Sequence, residues 1–426
     1  MLAPTNPLPL NAADVTRAEA NLRPVTRLTP IEHSVRLSEV AGVPILLKRE
    51  DLQVCRSFKV RGAYNRISQL DPSEREVGVV CASAGNHAQG VAFACQSLQI
   101  HGTIYLPVST PRQKRDRIRA LGGQWVELDF VDGAFDHAQQ VALAHAEQSG
   151  RTYIHPYDDP AVMAGQGTVA IELFRQLEGG VETVLVPVGG GGLIAGMAAW
   201  LKEARPSIRI VGVEPAGAAS ARAALDHGSP KTLAGIDSFV DGTAVGRTGD
   251  RTFEVVRALV DDVVVVDEGA VCTEMLSLYH QDGIIAEPAG ALATAAVCAA
   301  AAGRIGDLGL SGPTVAIISG GNNDLSRYAE VMERSMHYEG LRHYFLVTFP
   351  QQPGALRHFL DLVLGPEDDI VHFEYTKKNN RDLGPALVGI DLARPEDLGS
   401  LLARMEASPL HIEQIPTDSD LLRLLI

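Results

Sequence analysis

Val184-Leu185-Val186-Pro187-Val188-Gly189-Gly190-Gly191-Gly192-Leu193-Ile194-Ala195-Gly196 joins a short apolar run to four glycines and then to a second apolar segment. The first run, rich in valine, reads as a buried strand, and the segment after the glycines reads as a helix. Consecutive glycines between a strand and a helix expose N–H groups with no side chains in the way, which suits a phosphate. A flexible turn is the other reading of the same residues. The dinucleotide pattern G-x-G-x-x-G is met at no register, and no Gly-Lys-Ser/Thr follows to make a P-loop.

The same rhythm extends to both sides. Strands are expected at 79–82, 102–106 and 125–128, followed by helices at 86–98, 111–121 and 133–148. Further on, strands at 184–188, 208–213, 263–266 and 314–318 lie among helices at 193–204, 251–259, 269–281 and 290–302. This alternation predicts two α/β domains with parallel sheets and a cleft between them. The pattern changes after about residue 335. Strands at 344–349, 370–375, 386–392 and 412–415, helices at 353–363 and 395–407, and a polar turn from Lys377 to Gly384 give the order β-α-β-β-α-β, which is ferredoxin-like. The expected organisation is therefore a catalytic region over 1–335, with a smaller α/β part at about 60–165 inserted in the larger one, and a separate domain over 336–426.

Composition narrows the function classes. The chain has 426 residues, 46% hydrophobic and 5% aromatic, so its cores are large and aliphatic. It contains no stretch of about 20 uncharged apolar residues, so no transmembrane helix is expected. Met1-Leu2-Ala3-Pro4-Thr5-Asn6-Pro7-Leu8-Pro9 lacks the basic start of a signal peptide. Cys55, Cys81, Cys95, Cys272 and Cys298 are odd in number and form no C-x-x-C pair, which predicts a reducing, cytoplasmic setting. A net charge of −15 argues against a nucleic-acid partner. The basic cluster from Arg112 to Arg119 reads as a solvated helix face.

Three other places carry chemistry. Lys59 lies in Ser57-Phe58-Lys59-Val60-Arg61-Gly62-Ala63. Desolvation beside Phe58 and small residues disfavours a lysine cation, and the neutral amine can form a Schiff base with a carbonyl cofactor. A lysine on the surface does neither, and the run alone is compatible with both. Ser83-Ala84-Gly85-Asn86-His87-Ala88-Gln89-Gly90 follows a strand and opens a helix, where N–H groups and the Ser and Asn side chains suit a carboxylate. A helix cap accounts equally for this loop, and His87 reads as a packing residue as readily as a substrate contact. Ser319-Gly320-Gly321-Asn322-Asn323 again follows a strand directly. In parallel sheets ligands gather at the C-terminal ends of strands, so the loops converge on one edge. No H-E-x-x-H, Cys/His metal spacing or G-x-S-x-G is present.

Together these residues resemble the threonine dehydratases among the fold type II pyridoxal-phosphate (PLP) enzymes. The resemblance covers Lys48-Arg49-Glu50-Asp51-Leu52-Gln53, 57–65, 83–90, 110–123, 189–193, Glu287-Pro288-Ala289-Gly290 and 319–322. Phe349-Pro350-Gln351-Gln352-Pro353-Gly354-Ala355-Leu356 resembles the single ACT-like domain of the shorter biosynthetic enzymes.

The resemblance implies that Lys59 holds PLP as a Schiff base and moves the substrate Cα proton, with Phe58 beside the ring. It implies that Asn86 bonds the ring's 3-oxygen and that Ser319 faces the pyridine nitrogen. Gly189, Gly190, Gly191, Gly192 and Leu193 cradle the phosphate. Ser83, Ala84, Gly85, Asn86 and His87 surround the substrate carboxylate, and Glu287 lies near the ring. The implied reaction converts threonine to 2-oxobutanoate and ammonia, under isoleucine and valine control, in a homotetramer or homodimer. Related serine racemases carry a serine where Ala84 stands, so elimination is expected over racemisation. Some relatives hold a metal near the Glu214-Pro215 turn. Ser220 replaces a contributing aspartate there, so no metal is expected. The competing readings are a degradative serine/threonine dehydratase, a serine racemase, and a catalytically silent amino-acid sensor.

Overall fold

The computed structural model describes residues 7–133, 135–375, 377, 381–416, 419 and 421. It divides into two compact units, Met1–Asp324 and Leu325–Ile426.

The first unit contains two sheets. The larger has six strands in the order Ile31–Ser34, Ile45–Arg49, Thr314–Ile318, Thr183–Pro187, Arg209–Pro215, Asp262–Val266. All neighbouring strands are parallel except Ile31–Ser34, which runs antiparallel at the edge. The central strands Thr183–Pro187 and Thr314–Ile318 are buried along their whole length, as a sheet covered on both faces requires. The smaller sheet is parallel and four-stranded, in the order Val126–Val131, Gly102–Pro107, Val79–Ala82, Thr152–Tyr153. Its strands all fall in sequence between the second and third strands of the larger sheet.

Neither Ile31–Ser34 nor Ile45–Arg49 was expected from sequence. The second ends in Lys48 and Arg49, whose charges hide a strand that is nonetheless buried. Helices Pro160–Gln176 and Gly192–Ala204 approach closely. A Cβ on Gly196 would stand 2.1 Å from the Met163 carbonyl oxygen, so only glycine fits there. That contact anchors the helix leaving the four glycines.

The second unit is an antiparallel sheet in the order Asp369–Tyr375, Leu383–Asp391, Arg342–Pro350, His411–Gln414. Helices Ala355–Val363 and Leu398–Ala407 pack Phe359 and Leu401 against Phe345, Val347, Val388 and Ile390. Of the expected turn from Lys377 to Gly384, residues 378–380 lie outside the described residues.

The compact units divide at 324/325, before the boundary expected at 335/336. Helix Tyr328–Tyr338 belongs to the second unit, because its Glu333 bonds Arg342 and accepts from the Tyr344 hydroxyl at 2.6 Å. The helix is amphipathic like those before it, so the sequence pattern did not separate it. No helix among the described residues is long and apolar enough to cross a membrane.

Candidate active site

The loops singled out from sequence leave the C-terminal ends of strands Val79–Ala82, Thr183–Pro187 and Thr314–Ile318. Lys59 is the first residue of helix Lys59–Ser68. Backbone bonds clip the preceding segment onto the last of these loops. Phe58 N–H donates to Ser319 O at 3.2 Å, Gly321 N–H donates to Arg56 O at 2.9 Å, and Ser57 forms a bridge with Gly320. Arg56 takes a left-handed φ of 54° to make this turn. Nothing local in the sequence announces the clip.

Lys59 Nζ donates to the carbonyl oxygen of Pro156 at 3.0 Å and stands 5.4 Å from the Phe58 ring centroid. Burial disfavours its charged form and brings its pKa down to about 8, with Glu287 opposing the shift. Near pH 7 a minor fraction of the amine, on the order of a tenth, is then neutral, far more than at lysine's ordinary 10.5.

The four glycines make the turn into helix Gly192–Ala204, and Gly191 takes φ 90°, a conformation open to glycine. Gly190 lies so close to Tyr157 that a Cβ there would stand 2.2 Å from its ring. Among the described residues, the N–H groups of Gly189, Gly190, Gly191, Gly192 and Leu193 donate to no protein acceptor. Gly190, Gly191, Gly192 and Leu193 are buried. Buried N–H groups are rarely left unpaired, and a row of them at a helix N-terminus is an anion cradle.

In the loop after Val79–Ala82, Ser83 Oγ accepts the Gly85 N–H at 3.2 Å. The N–H groups of Ala84, Asn86 and His87 have no acceptor among the described residues. The His87 side chain turns inward, where Nε2 lies 2.9 Å from Ile154 O. Burial, with Lys59 nearby, lowers its pKa to about 3, so the ring is neutral and donates from Nε2. Its ring therefore packs, and only its N–H faces the loop. Ser319 Oγ is buried and donates to Ala289 O at 3.1 Å. Asn86 Nδ2 donates to Glu287 at 2.5 Å, and Asn86 Oδ1 accepts from Asn322 Nδ2 at 2.8 Å. The role of Asn322 was not read from the sequence.

Lys114, in the cluster read as a solvated face, bonds Asp241 at 2.7 Å instead. Glu214 is buried and accepts N–H groups of Ala221 and Arg222 at 2.7 and 2.8 Å, capping helix Ser220–His227. Among the described residues no group of three or more His, Cys, Asp or Glu is placed to hold a metal.

Residues 22–320 match the family described as pyridoxal-phosphate dependent enzyme, and residues 333–425 match the C-terminal regulatory domain of threonine dehydratase. The chain is 52% identical to the L-threonine dehydratase biosynthetic IlvA of Mycobacterium tuberculosis, over 98% of this chain and 96% of that protein. The chain belongs to the biosynthetic threonine dehydratases. It is also 48% identical to the L-threonine dehydratase biosynthetic IlvA of Bacillus subtilis, over 97% of this chain and 96% of that one. Among solved structures it is similar to the processed form of threonine deaminase isoform 2 from Solanum lycopersicum, with TM-score 0.70 and 39% identity over 79% of this chain and 92% of that one. Maize serine racemase gives TM-score 0.71 and 33% identity, over 77% of this chain and 98% of that one.

The family's dependence on pyridoxal phosphate fits the site. The row of unpaired amides suits the phosphate, and burial makes the amine of Lys59 easier to deprotonate. A prediction follows for cofactor-free dehydratase. The neutral amine is the nucleophile, and its fraction grows as pH rises through the folded pKa. The rate of PLP capture should therefore rise with pH through a midpoint near 8. A stopped-flow pH series giving a midpoint near lysine's ordinary 10.5 would contradict the burial argument.

Proposed function

We propose that this chain removes water and then ammonia from L-threonine, giving 2-oxobutanoate, at the commitment to isoleucine synthesis. The observation that carries this reading is Lys59, with its lowered pKa, directly after a segment whose Arg56 and Phe58 bond the backbone of the Ser319 loop. When bound, PLP supplies an electron sink for the bond broken at the substrate Cα.

The chain's own residues divide the remaining work. Lys59 would hold the cofactor at its carbonyl carbon and, once the substrate amine displaces it there, would be the free amine that takes the Cα proton. Phe58 would flank the ring, and the N–H groups of Gly189, Gly190, Gly191, Gly192 and Leu193 would hold the phosphate. Ser319 would face the ring nitrogen, its hydroxyl hydrogen turning from Ala289 O toward it. Its hydroxyl is uncharged, so it leaves the sink weak and favours prompt loss of the β-hydroxyl over a long-lived carbanion. Ser83, with the N–H groups of Ala84, Gly85, Asn86 and His87, orients the substrate carboxylate. Ala84 has no proton to deliver to the opposite face, which supports elimination over racemisation despite the likeness to maize serine racemase. Assay of 2-oxobutanoate from L-threonine, beside chiral analysis of serine incubations, separates the two. D-serine as the main product would overturn the reading.

The second unit supports feedback control, with isoleucine as inhibitor and valine as a further effector. Two sites whose ligands favour different states are what such control requires. Removing residues 325–426 should abolish isoleucine inhibition and leave threonine turnover within about tenfold, or about 1.4 kcal/mol, toward the low end of allosteric coupling. Inhibition that survives the truncation would remove the control from this domain. The same reading makes the enzyme a cytoplasmic homotetramer or homodimer, which sedimentation analysis distinguishes.

A further inference from the structure

A carboxamide has two flips that exchange its donor for its acceptor, and only its partners decide between them. Around Asn86 those partners form a chain of definite polarity. Asn322 Nδ2 lies 2.8 Å from the carbonyl oxygen of Cys55, a group that can only accept. That contact fixes which end of Asn322 is the donor. The second hydrogen on the same nitrogen goes to Asn86 Oδ1, also at 2.8 Å. Asn86 must then turn Nδ2 the other way, where Glu287 Oε1 accepts at 2.5 Å.

With the opposite flip, Asn86 Nδ2 would face Asn322 Nδ2, donor against donor. Glu287 alone does not settle the matter. It is buried, which pushes its carboxyl up to about 7, so near neutrality a part of it carries a proton and can serve as either donor or acceptor. The Cys55 carbonyl never donates, so the polarity originates with it and reaches Asn86 through Asn322. Nδ2 of Asn86 has two hydrogens, and Glu287 takes one. The other remains for a ligand at the start of helix Asn86–Leu98. This helix packs against the lysine segment, where a Cβ on Gly90 would stand 3.0 Å from Lys59 O.

We propose that Asn322 is a positioning residue that holds the Asn86 amide in the one flip offering a hydrogen to the cofactor's anionic 3-oxygen, with Glu287 as the second support. This rests on the reading of the cleft as a PLP site. Asn322 need not touch the cofactor itself. Its contribution is to make Asn86 a donor, since a carboxamide oxygen facing an anionic oxygen would repel it.

The test compares N322D and N322A in the full-length protein. Each is stripped of cofactor and titrated with PLP while the absorption spectrum is recorded. Both variants lose the bond to Cys55, so a merely structural role predicts similar changes in both and an unmoved absorption band. Positioning predicts a graded result. N322A leaves Glu287 to hold Asn86 and weakens PLP binding a few-fold. N322D puts an acceptor against Asn86 Oδ1, forces the opposite flip, and weakens binding about tenfold or more, the scale of a hydrogen bond to a charged group. In N322D the visible band should also lose intensity to a near-ultraviolet form, because the 3-oxygen without its donor keeps a proton. A wild-type band in N322D, or equal weakening with an unmoved band in both variants, overturns the proposal. If N322D does not fold, N322A decides: a wild-type band and affinity in N322A overturn it. Wild-type protein that gains no visible band with PLP would instead sink the cofactor reading, so the two failures are distinguishable.

Discussion

Replacing Lys59 with alanine lowers 2-oxobutanoate formation from threonine by at least about 10³-fold, within the range for loss of a positioned acid–base group. The same variant shows no visible Schiff-base band with PLP. The argument is geometric as well as chemical. Among the described residues the Lys59 amine has one hydrogen-bond acceptor, Pro156 O. Its removal therefore takes little from the fold. The backbone clip to Ser319 and Gly321 is made by Phe58 and Arg56, and K59A leaves it intact. Melting temperature should stay close to wild type while turnover collapses. Full turnover in K59A would end the assignment of Lys59 as the catalytic lysine.

The largest expected effect on stability comes from Glu50. It is buried and pairs with Arg61 through two bonds of 2.8 Å, while the Thr29 hydroxyl donates to it at 2.6 Å. Glu172 takes the other side of Arg61 and also Lys48, at 2.7 and 2.8 Å. Glu50→Gln leaves Lys48 and Arg61 facing one carboxylate in a buried setting. Removing one partner of a buried ion pair costs about 3–5 kcal/mol. In the catalytic unit that corresponds to a fall in melting temperature on the order of 10 °C, measured by calorimetry. A shift below about 3 °C would mean that the network relaxes around the loss. By contrast, the exposed pair of Arg112 and Asp116 should change stability by less than about 1 kcal/mol when broken.

The pH dependence of Glu50 has a definite sign. Burial raises its pKa, but Arg61 and Lys48 more than offset this, and the net shift is downward. Its contribution is present above the ordinary carboxylate value of 4.5 and is lost as pH falls through the lower folded value. E50Q should therefore show a flatter acid-stability profile than the wild type.

Much of this architecture is legible in local pattern. Strands buried on both faces, such as Thr314–Ile318, carry unbroken apolar runs, and the helices between them are amphipathic or Ala-rich. Strand Ile45–Arg49 is masked by its charged end: Lys48 is neutralised by Glu172, distant in sequence, and Arg49 by Asp51 and Glu32. Lys114 reads as one of several solvated charges, yet Asp241 reaches it from a loop far along the chain. His87 sits in the middle of a substrate-like loop, but Ile154 draws its ring into the smaller sheet's side.

By itself the sequence determined which groups are available and where strands hand over to helices: Lys59, Asn86, the four glycines and Ser319, in that order along an α/β chain with a ferredoxin-like tail. These follow from side-chain periodicity and from glycine's freedom at turns, both of which act over a few residues. Only the tertiary structure decided what state those groups are in. The pKa of Lys59, the unpaired glycine amides and the flip of Asn86 depend on burial and on partners such as Pro156, Glu287 and Cys55. Desolvation and hydrogen-bond polarity are set by whatever surrounds an atom in space, and local sequence does not record those neighbours.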